Sequence, residues 1–183
     1  VFVIHTCMVT AQAEKKCRAA IRQAKKRNPN AVVAVIGCFA ELKGDEISTM
    51  PEADIILGNN EKYDLSKHLS DYISIKEKIL KPGKESRPLG YEPAYSSGDR
   101  TRSFLKIQDG CDYFCAYCTI PLARGKSRSL TIAETMKVAR EAANTEAREI
   151  ILTGVNIGDF GKPHGEKLID LLHGAPVVVA ADE

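Results

Sequence analysis

Residues 31–38 of the chain read Ala-Val-Val-Ala-Val-Ile-Gly-Cys. A short apolar run that is rich in β-branched residues and ends at glycine is typical of a strand buried on both faces of a parallel sheet. Residues 1–4, Val-Phe-Val-Ile, and residues 53–57, Ala-Asp-Ile-Ile-Leu, show a similar pattern. The sequence therefore predicts a set of buried strands, each followed by a turn.

Helical patterns separate these strands. Behind a possible N-cap at Thr10, apolar residues recur at helical spacing until Asn28-Pro29 ends the run. These residues are Ala13, Cys17, Ala20, Ile21 and Ala24. A less regular helical segment follows Cys38, and residues 64–72 form a further candidate helix. Strands that alternate with helices predict an α/β fold, here an open parallel sheet with right-handed crossovers.

The composition shifts to Pro, Gly, Ser and charged residues between Lys81 and Arg100. Such a segment is typical of a linker. We therefore predict an N-terminal α/β domain over residues 1–80, a linker over 81–100 and a second domain over 101–183.

The second domain repeats the strand-helix pattern. Strands are predicted at residues 103–108 and 149–153, and helices after the capping box Thr131-x-x-Glu134 and at residues 168–173. The inner face of the first of these helices is predicted to hold Ile132, Met136, Ala139 and Ala143. This pattern predicts a second βαβα domain with room for two or three strands, whereas residues 175–183 fit no element.

The composition of the 183 residues is that of a globular protein, with 44% hydrophobic residues, 27% charged residues and a net charge of +2. No apolar run approaches the roughly 18 residues of a membrane span, and no signal peptide is visible, so we expect a soluble cytoplasmic chain without a membrane partner. Because cytosolic thiols are kept reduced, the six cysteines suggest metal binding or chemistry, and a disulfide framework is the less favoured alternative.

Three cysteines, Cys111, Cys115 and Cys118, have the spacing Cys-x3-Cys-x2-Cys directly after a predicted strand. Thiolates are soft ligands that suit zinc or iron–sulfur clusters. Electron-transfer clusters are closed by four cysteines, and no fourth one follows here. The spacing therefore predicts a cluster with one iron open to substrate. The alternatives are a zinc site completed by His164 or His173, and unrelated core cysteines.

Segments around these cysteines resemble the methylthiotransferases of the radical S-adenosylmethionine (SAM) superfamily. They are Phe104–Cys111 (Phe-Leu-Lys-Ile-Gln-Asp-Gly-Cys), Cys118–Pro121, Ala123–Arg128 and Leu152–Gly158 (Leu-Thr-Gly-Val-Asn-Ile-Gly). Within that family the sequence is similar to the branch that methylthiolates N6-threonylcarbamoyladenosine 37 of tRNA. The resemblance extends from Val1 to about His173, and it implies that the second domain is the start of a radical SAM (βα) partial barrel.

The resemblance implies that Cys111, Cys115 and Cys118 bind a 4Fe-4S cluster whose open iron binds SAM. One electron then cleaves SAM to a 5′-deoxyadenosyl radical. Tyr117 stands where the superfamily usually has an aromatic residue, and the turn with Gly154 and Asn156 is implied to approach the methionine part of SAM. A plain strand-to-helix turn is the alternative for that segment.

Cys7 and Cys38 follow neighbouring predicted strands, at the sheet edge where parallel α/β sheets bind ligands. By resemblance they hold a second 4Fe-4S cluster in the full-length enzyme, together with a cysteine upstream of this chain. Since the chain begins inside a strand, we expect it to be a fragment in which that cluster is weak or absent. Two buried structural cysteines are the alternative. Cys17 is predicted to be a core residue that its helix carries away from the strand ends.

Basic residues are the candidates for phosphate or carboxylate binding. Arg124 could hold the SAM carboxylate or an RNA phosphate, with Lys126 and Arg128 nearby, and loop solubility is the alternative. The first helix carries a basic face that could follow an RNA backbone or be solvated. That face comprises Lys15, Lys16, Arg18, Arg22, Lys25, Lys26 and Arg27. His5, His68, His164 and His173 show no ligand spacing and are predicted to be packing or surface residues.

The resemblance implies a radical SAM transferase that inserts a methylthio group at C2 of the adenine. Its partners would be tRNA, SAM and an electron donor such as flavodoxin or ferredoxin, and we expect a monomer. No general acid or base stands out. Methylthiolation of isopentenyladenosine tRNA or of a ribosomal protein aspartate, and an iron–sulfur electron carrier, remain alternatives. Because half a barrel leaves the pocket open to water, we expect these residues alone to be inactive on tRNA.

Overall fold

The computed structural model describes most of the chain, namely residues 1–8, 10–83, 90–96 and 101–174. The chain forms two compact units. The first unit takes its described residues from 1–90 and 114–125, and the second from 91–113 and 126–183. Much of the predicted linker and the whole segment 175–183 lie outside the described residues. The domain limits at residues 80 and 100 stay a prediction.

A four-stranded sheet, parallel throughout, forms the centre of the first unit. Its strands, in spatial order, are β1 (Phe2–Thr6), β2 (Val33–Gly37), β3 (Ile55–Leu57) and β4 (Ile79–Lys81). The predicted α/β class and the first three strands are confirmed. Strand β4 was not predicted, because three residues between charged neighbours and proline carry no periodic pattern and become a strand only by pairing with β3.

Helices pack on both faces of this sheet. They are α1 (Ala11–Arg27), α2 (Cys38–Ser48) and α3 (Leu65–Ile75), and a short helix, α4 (Ile120–Arg124), belongs to the same unit. Side chains of α1 and α2 pack with Val33 and Val35 of β2, whereas α3 packs on the opposite face against Ala34. The predicted N-cap is confirmed, since the Thr10 hydroxyl accepts a hydrogen bond from the Ala13 amide at 3.1 Å.

Asp54, a buried residue before β3, ties this unit together. Its carboxylate accepts hydrogen bonds from the Val33 amide at 2.8 Å and from the Tyr72 hydroxyl at 3.0 Å, and it pairs with the Lys25 ammonium at 2.7 Å. Burial, and next the hydrogen bond to Asp54, raise the pKa of Tyr72. One carboxylate therefore links β2 to helices on opposite faces of the sheet.

The second unit contains a three-stranded sheet and a two-stranded ladder. In chain order the strands are β5 (Ala94–Tyr95), β6 (Arg102–Lys106), β7 (Gln108–Asp109), β8 (Arg128–Ser129) and β9 (Glu149–Thr153). The predicted parallel pairing of β6 with β9 is present, but β5 adds an antiparallel edge strand that was not expected. The expected strand 103–108 is divided at Ile107, because β7 leaves β9 and pairs with β8.

The helices of this unit are α5 (Ile132–Ala143) and α6 (Leu168–Gly174). The predicted capping box is confirmed, with the Thr131 hydroxyl and the Glu134 carboxylate each accepting a backbone N–H from the other residue. The prediction for Ala143 was wrong: it is exposed, and Ala142 is buried. Ile132, Met136 and Ala139 pack against the core as predicted, and the buried face also includes Thr135. Across the described residues, no helix has the length and apolar character needed to cross a membrane.

Candidate functional site

The cysteine loop, residues 110–119, connects β7 to α4. Its three thiols are free; Cys115 is exposed, and Cys111 and Cys118 are half-buried. The Cys118 amide donates to the Cys115 carbonyl at 3.0 Å, so the last two cysteines lie on one backbone turn. The loop therefore presents accessible sulfur atoms on a short segment.

The donor set of this loop fits an iron–sulfur cluster in its chemistry. Free thiols become soft thiolate ligands when a metal centre binds, and none of the three is used in a disulfide. In the part of the chain that the structure describes, no group of three or more His, Cys, Asp or Glu side chains is gathered closely enough to hold a metal ion.

The loop starts just after a residue that was not predicted to have a role. Gln108 in β7 is fully buried, and its side-chain nitrogen lies 2.8–3.0 Å from acceptors on Asp109, Gly110 and Ser127. Its side-chain oxygen accepts the amides of Val155 and Asn156 at 2.9 and 2.8 Å. A polar residue that ends an apolar strand just before Asp-Gly is the signal that could have identified it.

Gly154 and Asn156, the predicted SAM-binding turn, lie directly against Gln108. A Cβ atom at Gly154 would lie 3.0 Å from the side-chain oxygen of Gln108 and 3.1 Å from its Cβ, so any larger residue would require Gln108 to shift by a few tenths of an ångström. The Asn156 side chain donates to Asp159 at 3.1 Å. The structure thus brings this turn to the start of the cysteine loop.

Arg128 is engaged in the protein interior. Its guanidinium lies 3.1 Å from the buried carboxylate of Asp109, and both side chains are mostly shielded from solvent. Arg128 therefore has a structural partner, whereas Lys126 is exposed. Arg124 is half-buried at the end of α4, and Tyr117 is 93% exposed.

The predicted second site lies at the carboxyl edge of the first sheet. Residues Thr6 and Gly37 are paired in the ladder, so Cys7 and Cys38 are each the first residue beyond a paired strand end. Cys7 is exposed and Cys38 is buried. At Gly37 the backbone has φ of +101°, and a Cβ atom would lie 2.7 Å from the Thr6 carbonyl, so glycine permits the close pairing of these two strand ends.

Polar groups surround Cys38. The Asn59 side-chain amide donates to the Cys38 sulfur at 3.7 Å and to the Ala123 carbonyl at 2.6 Å, and Glu41 accepts the Asn59 backbone amide at 2.6 Å. His5 lies in the neighbouring strand β1. Burial, and next the positive charges of Lys62 and Arg124, disfavour its protonated form and lower its pKa. Asn59 and Glu41 were not identified from sequence, because neither stands in a metal-ligand spacing.

Cys17 packs against the core as predicted, but the prediction of its position was wrong. Its sulfur lies 3.6 Å from the Cys7 carbonyl, not away from the strand end. The reason is that helical side chains tilt toward the helix N-terminus, and α1 begins only a few residues after Cys7.

Two of the histidines have internal partners. His68 is buried with its Nε2 atom 3.2 Å from Glu61, and His164 Nε2 lies 3.0 Å from the Ser129 carbonyl. These contacts agree with packing roles.

Comparison with known families and proteins matches both parts of the chain. Residues 1–58 match the family described as Uncharacterized protein family UPF0004, and residues 105–176 match the Radical SAM superfamily. The second match contains the cysteine loop and the Gly154–Asn156 turn. The class of the chain is therefore that of radical SAM proteins.

Individual relatives narrow this class. The chain is 37% identical over 176 residues to the threonylcarbamoyladenosine tRNA methylthiotransferase of Aquifex aeolicus (94% of this chain, 42% of the relative). It is 38% identical over 177 residues to that of Thermotoga maritima (93% and 39%). It is 29% identical over 168 residues to a tRNA-2-methylthio-N(6)-dimethylallyladenosine synthase of Clostridium tetani (88% and 37%). The chain belongs to the radical SAM methylthiotransferase family, and it spans about two fifths of the length of these curated relatives.

Proposed function

We propose that the chain is part of a radical SAM transferase that inserts a methylthio group at C2 of N6-threonylcarbamoyladenosine 37 in tRNA. The observation that carries the proposal is the loop with three free thiols inside a segment that matches the radical SAM superfamily. The names of the relatives at 37–38% identity support the substrate.

In this proposal Cys111, Cys115 and Cys118 hold a 4Fe-4S cluster with one open iron. When bound, the cluster supplies the electron that cleaves SAM. Tyr117 and Arg124 are proposed to contact the cofactor, because they lie within and shortly after the cysteine loop in sequence. The turn that contains Gly154 and Asn156 is proposed to bind the methionine part of SAM.

Cys7 and Cys38 are proposed as ligands of a second 4Fe-4S cluster in the full-length enzyme. Their positions directly beyond two paired strand ends support this role, since both residues belong to the same sheet edge. Asn59 would then donate a hydrogen bond to a ligand sulfur, a contact that orients the ligand and tunes the cluster.

The tRNA partner is proposed to contact the exposed face of α1. Arg18 and Lys25 are not available for this contact, because Arg18 pairs with Glu14 and Glu46, and Lys25 pairs with Asp54. The remaining basic residues of α1 are exposed, and they are Lys15, Lys16, Arg22, Lys26 and Arg27. The exposed face of this helix carries no acidic residue, which suits a phosphate backbone.

Further features of the proposal concern organisation and context. We propose the predicted domain limits, a monomeric cytoplasmic protein without a membrane partner, and an electron donor such as flavodoxin or ferredoxin. A low-potential donor is required because the cluster must be reduced before SAM is cleaved.

The test uses the natural full-length protein, reconstituted anaerobically with iron and sulfide and mixed with dithionite and SAM. We expect 5′-deoxyadenosine to form. An iron–sulfur electron carrier would bind iron but form none of this product, and a zinc module would remain colourless. Either result would contradict the proposal.

The Clostridium relatives indicate a second candidate substrate, isopentenyladenosine in tRNA. They are named as tRNA-2-methylthio-N(6)-dimethylallyladenosine synthases and are 29–32% identical to the chain. Mass spectrometry of tRNA from cells that lack the gene distinguishes the two substrates. We expect loss of the methylthio group from threonylcarbamoyladenosine. Loss from isopentenyladenosine instead would assign the second substrate, and intact tRNA would favour a ribosomal protein aspartate.

A further inference from the structure

We propose that Gln108 is a positioning residue that sets the start of the cysteine loop relative to the Gly154–Asn156 turn. The identity of the ligand, SAM bound beside a cluster, rests on the function proposed above. The contacts of Gln108 do not depend on that assignment, because all of them lie within the second unit.

The backbone ladder ends just before this point. Strand β6 pairs with β9 from Arg102 to Lys106, and the Ile107 amide bonds to the Thr153 carbonyl at 2.9 Å. Beyond Ile107 the chain turns away into β7 and pairs with β8. The Gln108 side chain then carries the hydrogen bonds from this strand end to the turn after β9.

The side-chain amide of Gln108 forms hydrogen bonds through both its oxygen and its nitrogen. Its oxygen accepts the amides of Val155 and Asn156, and its nitrogen is within hydrogen-bond distance of the Asp109 and Gly110 carbonyls. Only a primary amide offers an acceptor with two lone pairs and two donor hydrogens at this length. The same side chain therefore connects the residues immediately before Cys111 to the proposed SAM-binding turn.

Substitutions at Gln108 separate this role from general stability. In Gln108→Glu the acceptor for Val155 and Asn156 is kept, but the second oxygen would face the carbonyls of Asp109 and Gly110, which cannot donate to it. The Ser127 hydroxyl could turn to donate, but it would replace neither of these two hydrogen bonds. In Gln108→Asn the amide is kept, but it is one methylene too short to reach both sides. Both variants should displace the loop start from the turn while β6 and β9 stay paired.

The experiment compares the natural full-length protein with Gln108→Glu, Gln108→Asn and a control, Ser103→Ala. Ser103 is a buried residue of β6 whose hydroxyl donates to the Ser96 carbonyl at 2.8 Å, so the control loses a buried hydrogen bond away from the loop. The measurements are iron per chain, the SAM dissociation constant per iron-loaded chain, and hydrogen exchange of residues 154–158 in cluster-free protein.

We expect both Gln108 variants to weaken SAM binding by about tenfold, the effect of losing roughly one or two net hydrogen bonds. The Gln108→Asn variant should also exchange the amides of residues 154–158 faster, and the control should match the parent in both measurements. If one Gln108 variant fails to fold, the other one decides. Parent-like SAM affinity and exchange in a folded Gln108 variant, or equal losses in Ser103→Ala, would overturn the proposal.

This outcome is distinguishable from failure of the proposed function. If the parent protein itself binds neither iron nor SAM, the functional assignment is wrong. If the parent binds both and the Gln108 variants bind SAM equally well, only the role of Gln108 is wrong.

Discussion

Cys38 and Cys111 each follow the end of a strand, but the two units hold these strand ends by different means. Cys38 follows a strand that is paired on both sides, with β1 and with β3. Cys111 follows the two-residue strand β7, whose connection to β9 depends on the side chain of Gln108. Backbone pairing thus positions the first cysteine, and one buried amide positions the second.

The exposure of the cysteines varies within both candidate sites. At the sheet edge Cys38 is buried beside the side-chain amide of Asn59 and Cys7 is exposed, and on the loop Cys111 and Cys118 are half-buried and Cys115 is exposed. Accessible sulfur atoms suit a loop that is proposed to bind a cluster and to admit a cofactor. A sheet edge offers a site that is positioned before any ligand binds.

The largest expected effect tests the loop directly. Replacing Cys111, Cys115 or Cys118 by Ser should remove the iron of one 4Fe-4S cluster from the reconstituted protein, because three sulfur ligands are the minimum set that the loop supplies. Iron and sulfide analysis with visible absorption measures this loss. Cys17→Ser is the matched control and should keep all of its iron, because Cys17 is not a proposed ligand and a serine hydroxyl can still donate to the Cys7 carbonyl. A loop variant with the iron content of the parent would refute the ligand assignment.

The next largest effect tests the unit that relies on backbone pairing. Asp54→Ala removes the buried carboxylate that accepts hydrogen bonds from Val33 and Tyr72 and pairs with Lys25. Breaking such a network should destabilise the first unit by roughly 3 kcal/mol. Denaturant unfolding followed by circular dichroism measures the change. Asp71→Ala, at an exposed position of α3, should leave the midpoint unchanged, and equal shifts in both variants would contradict the role of Asp54.

The residues in these two tests differ in how readily the sequence identifies them. The loop cysteines were found from spacing alone, because core packing seldom places three thiols in one short polar segment. Asp54 stands within an apolar run, and its network joins residues that are distant along the chain. Sequence periodicity reports which face of an element is apolar, but it does not report which buried polar groups meet.

The secondary structure elements differ in the same way, because some have a local sequence signal and others do not. The strands at residues 33–37 and 149–153 and the caps at Thr10 and Thr131 were predicted, because each has a local apolar pattern or a local hydrogen bond. Strands β4 and β5 are short and depend on pairing with a neighbouring strand, so no local pattern predicts them. The position of Cys17 was missed for a geometric reason, the tilt of helical side chains toward the N-terminus.

A smaller effect is expected from the exposed face of α1. Lys15 and Lys26 are eleven positions apart, or about three helical turns, and therefore lie on the same side of the helix. The double variant Lys15→Glu/Lys26→Glu should weaken tRNA binding by the full-length protein about tenfold and reduce its salt dependence. Filter binding at several salt concentrations measures both quantities. Lys67→Glu/Lys137→Glu changes the charge equally at exposed positions of α3 and α5, and equal losses in the two double variants would refute a specific surface.

The smallest expected effect concerns the second unit, where hydrogen bonds from side chains, and not only strand pairing, hold the elements in place. Thr131→Ala removes the N-cap of α5 and should lower stability by about 1 kcal/mol at neutral pH, measured by thermal unfolding. Ser70→Ala, which removes a helix-surface hydroxyl of α3, should have almost no effect.

The cap also predicts a dependence on pH. The hydrogen bond from the Thr131 hydroxyl, followed by that from its backbone amide, lowers the pKa of Glu134. A carboxylate with a lowered pKa stabilises the fold above its ordinary pKa and loses this contribution as the pH falls through the lowered value. The stability difference between Thr131→Ala and the parent should therefore be largest at neutral pH and shrink in the acid range. A difference that stays constant from pH 7 to about pH 3 would show that the Glu134 carboxylate contributes nothing to the cap.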